Sequence, residues 1–157
     1  MFKWIAIALL VLPVFAYAGM EEGVAAYASG DYATAMKEFK ELADKGDVPA
    51  TYYVGFLYRQ GYGVPIDQAE AAKWFLKAAA HGDSQSQYYL GKMSEKGEGM
   101  ERNLAAAHMW LTLSAKNAPN PRDAAYTRED IKRLEKKMTP EQLAKAKELA
   151  SAWKPAG

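Results

Sequence analysis

Residues 48–83 read VPATYYVGFLYRQGYGVPIDQAEAAKWFLKAAAHGD, and residues 84–118 repeat the pattern as SQSQYYLGKMSEKGEGMERNLAAAHMWLTLSAKNA. A shift of 36 residues brings the tyrosine pair Tyr52-Tyr53 onto Tyr88-Tyr89 and Trp74 onto Trp110. A fixed period of this length is the signature of repeat units that stack on one another. The same shift carried backwards reaches residues 20–47, so the sequence predicts about two and a half units.

Each unit predicts two antiparallel helices. In the second half of the unit, small and aromatic side chains recur every three or four residues, namely Ala71, Trp74, Phe75, Ala78 and Ala79. This spacing places them on one buried helix face. The first half ends at Gly61-x-Gly63, where glycine can adopt the positive φ that ends a helix. Asp67 and Asn103 are expected to cap the second helices, and Gly55 and Gly91 predict close helix contacts.

The run Ala50-x-Tyr52-x-Val54-Gly55-x-x-Tyr58-x-x-Gly61-x-Gly63, continuing through Asp67, Ala71 and Trp74, resembles the Sel1-like repeat, a relative of the tetratricopeptide repeat. The resemblance implies an all-α fold, an α-solenoid of antiparallel helix pairs. It covers a partial unit at 20–47, a full unit at 48–83 and a degenerate unit at 84–118. Residues 119–157 are expected to form C-terminal cap helices. The last of these helices resembles the caps of secreted bacterial members and is expected to lie against Ala107, Trp110 and Leu111.

The first 18 residues have the features of a secretory signal peptide. A positive start at Met1-Phe2-Lys3 precedes the apolar stretch from Trp4 to Phe15, and Ala16-Tyr17-Ala18 is a small-x-small cleavage site. We expect cleavage after Ala18, a single repeat domain at 19–157 and no stable membrane anchor afterwards. The protein is then expected in the periplasm or secreted, and the resemblance implies a Gram-negative bacterium.

Charge and cysteine content exclude several classes of partner. The chain has 20 basic and 19 acidic residues, and removal of residues 1–18 takes away one lysine and no acid, which leaves a formal net charge of zero. Such a balance argues against nucleic acid and anionic membranes as partners. Without cysteine there is no disulfide to stabilise the domain, so stability is expected from packing.

The residues that could support catalysis are isolated. His81 and His108 have no second histidine or cysteine at a ligand spacing, and His108 is expected on a helix surface. The pattern Ser151-x-x-Lys154 is similar to one in penicillin-binding serine enzymes but lacks its companion motifs. The cluster from Lys132 to Lys137 is interpreted as a solvated helix face, with an anion or partner patch as the alternative. We therefore expect no catalytic residue, no metal and no cofactor.

The resemblance implies a binding function for the concave face, which the first helices of the units would line. The residues expected there are Tyr52, Phe56, Arg59, Gln85, Tyr88, Lys92 and Glu95. The hypothesis is a protein-protein interaction adaptor that binds another protein or a peptide, with Tyr52 and Tyr88 partly buried. Two alternatives remain open: a penicillin-type or cell-wall-precursor binding protein or enzyme, and recognition of a host protein after secretion.

Overall fold

The structure, a computed structural model, describes residues 14–156. These residues form eight α-helices and no strand: α1 (Val14–Ser29), α2 (Tyr32–Asp44), α3 (Val48–Gln60), α4 (Gln68–Ala80), α5 (Ser84–Lys96), α6 (Leu104–Asn117), α7 (Pro121–Glu135) and α8 (Pro140–Ala152). The all-α class predicted from the sequence is confirmed. The predicted signal segment lies outside the described residues as far as Pro13.

The helices pack in chain order. Helices α1 and α2, α3 and α4, and α5 and α6 form three pairs, and α2 packs on α3 as α4 packs on α5. This arrangement is the α-solenoid that the 36-residue period predicts, because each unit contacts its neighbours along the chain. Helices α7 and α8 both pack on α6 and cover the C-terminal end of the stack.

Capping residues set the helix boundaries. At the N-terminus of every helix from α2 to α8, a side-chain oxygen accepts a hydrogen bond from the backbone N–H three residues further on; the capping residues are Asp31, Asp47, Asp67, Asp83, Asn103, Asn120 and Thr139. Such caps satisfy backbone donors that the helix leaves free. Gly61 and Gly97 end α3 and α5 in the left-handed conformation, with φ of 73° and 77°. The caps predicted at Asp67 and Asn103 are confirmed.

Two helical glycines allow the paired helices to approach closely. A Cβ atom at Gly55 would lie 2.9 Å from Cδ1 of Phe75, and a Cβ at Gly91 would lie 2.6 Å from Cγ of Leu111. Both distances are shorter than carbon atoms tolerate. The buried side chain of the second helix therefore rests directly on the backbone of the first, as the sequence predicted for both glycines.

The predicted buried face of α4 is also observed, because Trp74 is 6% exposed and Phe75 is fully buried. The prediction for His108 was wrong. It is 5% exposed, and its Nε2 lies 2.9 Å from Oε1 of Glu135 on α7. The reason is that α7 packs over this face of α6, where Leu134 completes a buried cluster with Leu104, Ala107 and Leu111. Helix α8 packs on α6 as expected, but it is α7 that covers Ala107 and Leu111.

The close approach at Gly91 can be tested by Gly91→Ala. An alanine in an exposed helix position is more stable than glycine by about 1 kcal/mol. Here we expect the opposite sign, a loss of about 1 to 3 kcal/mol, because the new methyl group overlaps Leu111 and lies 3.2 Å from the carbonyl oxygen of Ala107. Urea unfolding followed by circular dichroism measures the change.

The control is Ala144→Gly at an exposed position of α8, which reports the intrinsic helix preference alone. A Gly91→Ala variant that is more stable than the parent chain would show that the two helices do not need the glycine.

Candidate functional site

A continuous chain of aromatic rings runs across the first helix of each pair and onto α7. We call this set the aromatic belt; its members are Tyr27, Tyr52, Phe56, Tyr88, Tyr89 and Tyr126. Ring centroids are 6.2 Å apart between Tyr27 and Phe56, and 6.1 Å apart between Phe56 and Tyr89. They are 5.9 Å apart between Tyr88 and Tyr89, and 6.1 Å between Tyr88 and Tyr126. The belt therefore joins α1, α3, α5 and α7 on one side of the molecule, which we call the first-helix face.

The part of the expected binding stripe on α3 serves mostly as packing. Tyr52 and Phe56 are half-buried against the core cluster of Phe75 and Leu90. Burial, together with the neighbouring Tyr89 hydroxyl, raises the pKa of Tyr52 well above its usual value. The guanidinium carbon of Arg59 lies 5.0 Å from the ring centre of Tyr89 in a cation–π contact. These side chains pack α3 against α4 and α5, and they leave little exposed surface for a partner.

The corresponding stripe on α5 is bridged to α7. The Tyr88 hydroxyl donates to Oδ2 of Asp130 at 3.0 Å, and Lys92 Nζ donates to the same oxygen at 3.3 Å. Glu95 pairs with Lys92 at 3.4 Å and accepts a hydrogen bond from Lys137 at 2.9 Å. Asp130 is 5% exposed. We call this set, which also includes Arg133 paired with Asp130, the α5–α7 ion network.

The hydroxyl of Tyr88 remains a donor across the physiological pH range. Burial and the nearby Tyr126 hydroxyl raise the pKa of Tyr88 to about 12. The group is therefore protonated at neutral pH, and its hydrogen bond to the Asp130 carboxylate is a charge-assisted one.

A groove of about 220 Å³ opens between the start of α5, the end of α6 and the start of α7. Three residues of the expected binding set line it, namely Tyr52, Gln85 and Tyr88. The other four do not line it; they are Phe56, Arg59, Lys92 and Glu95. Sequence reasoning missed the lining residues of α7, which are Asp123, Tyr126 and Thr127.

A spacing signal for Tyr126 is present in the sequence. Tyr126, Asp130 and Arg133 have the same spacing of four and three residues as Tyr52, Phe56 and Arg59, and as Tyr88, Lys92 and Glu95. The step from the second set to the third is 38 residues instead of 36. Helix α7 therefore occupies the position of a fourth first helix, which a strict 36-residue period conceals.

The residues weighed for catalysis remain dispersed. Ser151 is exposed on α8, and its hydroxyl donates to the carbonyl oxygen of Glu148 at 2.9 Å, so it has no base partner there. Between residues 14 and 156, no group of three metal-ligating side chains comes together. No helix in the same part of the chain is long and apolar enough to cross a membrane.

The comparisons with known proteins agree with the repeat units. The Sel1 repeat family model matches residues 48–83 and 84–118. Among solved structures, a protective antigen present in uropathogenic Escherichia coli strains, displaying an SLR fold, is 30% identical with a TM-score of 0.80. A Sel1 repeat protein from Oxalobacter formigenes is 27% identical with a TM-score of 0.65. No protein with a curated description matches significantly.

The matches cover most of this chain but only part of the related proteins. Each spans 88% of this chain, yet only 29% of the Escherichia coli antigen and 56% of the Oxalobacter protein. The similarity therefore bears on the fold of the repeat array and not on the activity of either whole protein.

The α5–α7 ion network predicts an acid-dependent stability. Burial alone would raise the pKa of Glu95, but the hydrogen bond from Lys137 and the charges of Lys92 and Lys137 outweigh it and lower the pKa overall. A carboxyl group with a lowered pKa stabilises the fold above its unfolded-state pKa, and this contribution is lost as pH falls through the folded-state pKa. We expect Glu95→Gln to reduce the free energy of unfolding by about 1 kcal/mol at pH 7.

The difference in free energy of unfolding between the parent chain and Glu95→Gln should shrink below about pH 4.5, the ordinary pKa of a glutamate, and vanish at lower pH. Urea unfolding at a series of pH values measures it, with the exposed Glu101→Gln as the control. A difference that stays constant from pH 7 to acid would show that Glu95 is not stabilised as an anion.

Proposed function

Because the chain belongs with the Sel1-like repeat proteins, we propose that it is an exported adaptor that binds another protein through its first-helix face, and that it is not an enzyme. Repeat arrays of this kind are interaction scaffolds, since each unit packs only on its neighbours and one extended face stays free for contact. The partner is a protein or peptide segment held at the groove between α5, α6 and α7.

The observation that supports this proposal most directly is the exposure of Tyr126 beside a preformed groove. Tyr126 is 65% exposed, although its ring contacts that of Tyr88. Tyrosine is enriched among the residues that dominate binding energy at protein interfaces, because it offers a large rigid surface and a hydroxyl. Gln85, also exposed, supplies an amide at the rim.

The rest of the aromatic belt supports the groove from behind. Tyr89 stacks on Phe75 with ring centroids 5.0 Å apart, and Tyr52 contacts Tyr89 at 6.1 Å. Rings fixed in this way lose little freedom when a partner binds, which lowers the entropic cost of association. The groove is therefore suited to bind a partner without rearrangement.

Export is the second part of the proposal, and the signal-peptide features of residues 1–18 support it. The Escherichia coli neighbour is a protective antigen, which is compatible with a related protein outside the cytoplasm. Cleavage after Ala18 would cut within α1 and leave residues 19–29. These include the buried Gly23 and Ala26, which pack in one core with Phe39 of α2. The core of the first unit would keep these contacts.

The export proposal predicts the N-terminus of the mature protein. Expression of the full chain in a Gram-negative host should give periplasmic or extracellular protein that begins at Gly19, as measured by N-terminal sequencing and intact mass. Ala18→Glu removes the small residue at the cleavage site and should leave the uncleaved precursor. Recovery of the full-length parent chain from the cytoplasm would contradict export.

The adaptor proposal predicts where a partner can be captured. A photo-crosslinking amino acid at Gln85 should trap a partner in intact cells, because Gln85 is exposed and lines the groove. The same probe at Lys147, an exposed position of α8, is the matched control and should trap no specific partner. Capture at Lys147 and not at Gln85 would place the binding surface elsewhere and refute the proposal.

A further inference from the structure

The groove carries a single formal charge, and that charge is negative. Of the residues that line it, only Asp123 is charged. Asp123 lies in the first turn of α7 and is exposed to solvent. Its Oδ2 accepts a hydrogen bond from Asn120 Nδ2 at 2.8 Å, and its backbone N–H donates to Asn120 Oδ1 at 3.0 Å. The carboxylate is thus fixed at the rim and keeps access to a ligand.

Tyrosine rings add to the negative potential. Four tyrosines line the groove, namely Tyr52, Tyr88, Tyr89 and Tyr126. The face of an aromatic ring is the negative part of its quadrupole, so it attracts a cation placed over it. Rings and carboxylate therefore act in the same direction and favour a positively charged ligand.

Three basic side chains of the first-helix face, one each on α3, α5 and α7, are already paired within the chain. Lys92 and Arg133 both pair with Asp130, and Arg59 lies over Tyr89 and pairs with Glu98 at 3.7 Å. None of these three lines the groove. The contact of Arg59 with Tyr89 also shows that a guanidinium group fits against the rings of this belt, at 5.0 Å from the ring centre.

We propose that the groove binds an arginine side chain presented by an extended segment of a partner protein. The guanidinium lies against the Tyr126 ring and donates hydrogen bonds to the Asp123 carboxylate. Arginine suits both contacts, because its planar group stacks on aromatic rings and matches a carboxylate with two donors. This inference rests on the proposed adaptor function and names the chemistry of its partner.

The size of the groove favours a side chain on an extended segment over a helix. A cavity of about 220 Å³ is small beside an α-helix, whose diameter with side chains is about 10 to 12 Å. An extended segment exposes its own backbone groups, and Ser84 and Gln85 at the rim offer hydrogen-bonding side chains for them.

The probe is a synthetic peptide, acetyl-Gly-Ser-Arg-Ser-Gly-amide, compared with the same peptide in which citrulline replaces arginine. Citrulline keeps the shape and removes the charge. Titration followed by nuclear magnetic resonance should show chemical-shift changes at Tyr126 and Asp123, with the arginine peptide binding about tenfold more tightly. Added salt should weaken that binding, since both charges are exposed at the rim. Equal binding of the citrulline peptide would overturn the proposal.

Variants of α7 separate the local contact from the overall charge. Asp123→Asn should weaken binding of the arginine peptide about tenfold, whereas Glu129→Gln should leave its affinity unchanged. Both substitutions remove one negative charge from an exposed position of α7, but Glu129 does not line the groove. Equal losses in the two variants would overturn the proposal, because attraction would then be due to net charge.

The ring contact has its own matched pair. Tyr126→Phe keeps the aromatic face and should bind the arginine peptide within about twofold of the parent chain. Tyr126→Leu removes the ring and should lower the affinity about tenfold. Tyr126 is 65% exposed, so neither change should disturb folding, and a circular dichroism spectrum checks this. If Tyr126→Leu binds as well as the parent chain, the arginine proposal fails.

The two proposals fail in different ways. Equal binding of the arginine and citrulline peptides together with specific crosslinking at Gln85 would refute the arginine contact and leave the adaptor function standing. Absence of crosslinking at Gln85 alongside capture at Lys147 would refute partner binding through the first-helix face, whatever the peptides do.

Discussion

The architecture depends on a close contact between the two helices of each pair. In each pair a helical glycine faces a large buried side chain, and the contacts are Gly23 with Phe39, Gly55 with Phe75, and Gly91 with Leu111. At all three positions a Cβ atom would come within 3.0 Å of that side chain. Because protein cores are packed as densely as crystals, no neighbouring group could absorb such an overlap without a shift. The contact fixes the spacing of each pair, and the repeated spacing aligns the first helices on one face.

The end of the array is held by two kinds of interaction that differ in weight. Leu134 of α7 is fully buried against α6, and burial of a leucine contributes about 1.5 to 3 kcal/mol. The α5–α7 ion network adds several charge pairs, but Lys92 is 20% exposed and Arg133 is 65% exposed, so solvent screens part of their attraction. Apolar packing therefore docks α7, while the ion network fixes its register along α5, because Asp130 must meet Tyr88 and Lys92 together.

Predictions from the sequence were correct where the same residue pattern recurs in successive units. The caps at Asp67 and Asn103 and the glycine contacts recur in register, so each supports the other. Sequence reasoning failed for His108, whose partner Glu135 lies 27 residues further along the chain, and for the position of α7, whose Asp130 meets Tyr88 from 42 residues away. The spacing of Tyr126, Asp130 and Arg133 repeats that of the first helices, but the two additional residues before α7 break the period and conceal this repeat. Of the seven residues expected in the binding face, three line the groove, because packing between units occupies the others.

The proposed binding surface follows from that break in the repeat. Within the regular units, Tyr52, Phe56 and Tyr89 of the first helices each contact more than one neighbouring ring, as Tyr89 contacts Phe75, Tyr52 and Phe56. After α6 the chain enters α7 through Pro119 and Asn120, and no further pair of the regular kind stacks beyond it in the described part of the chain. Tyr126 consequently contacts Tyr88 on one side and solvent on the other. The regular units supply rigidity, and the irregular last one leaves the aromatic ring of Tyr126 exposed to solvent, where the proposed partner would bind.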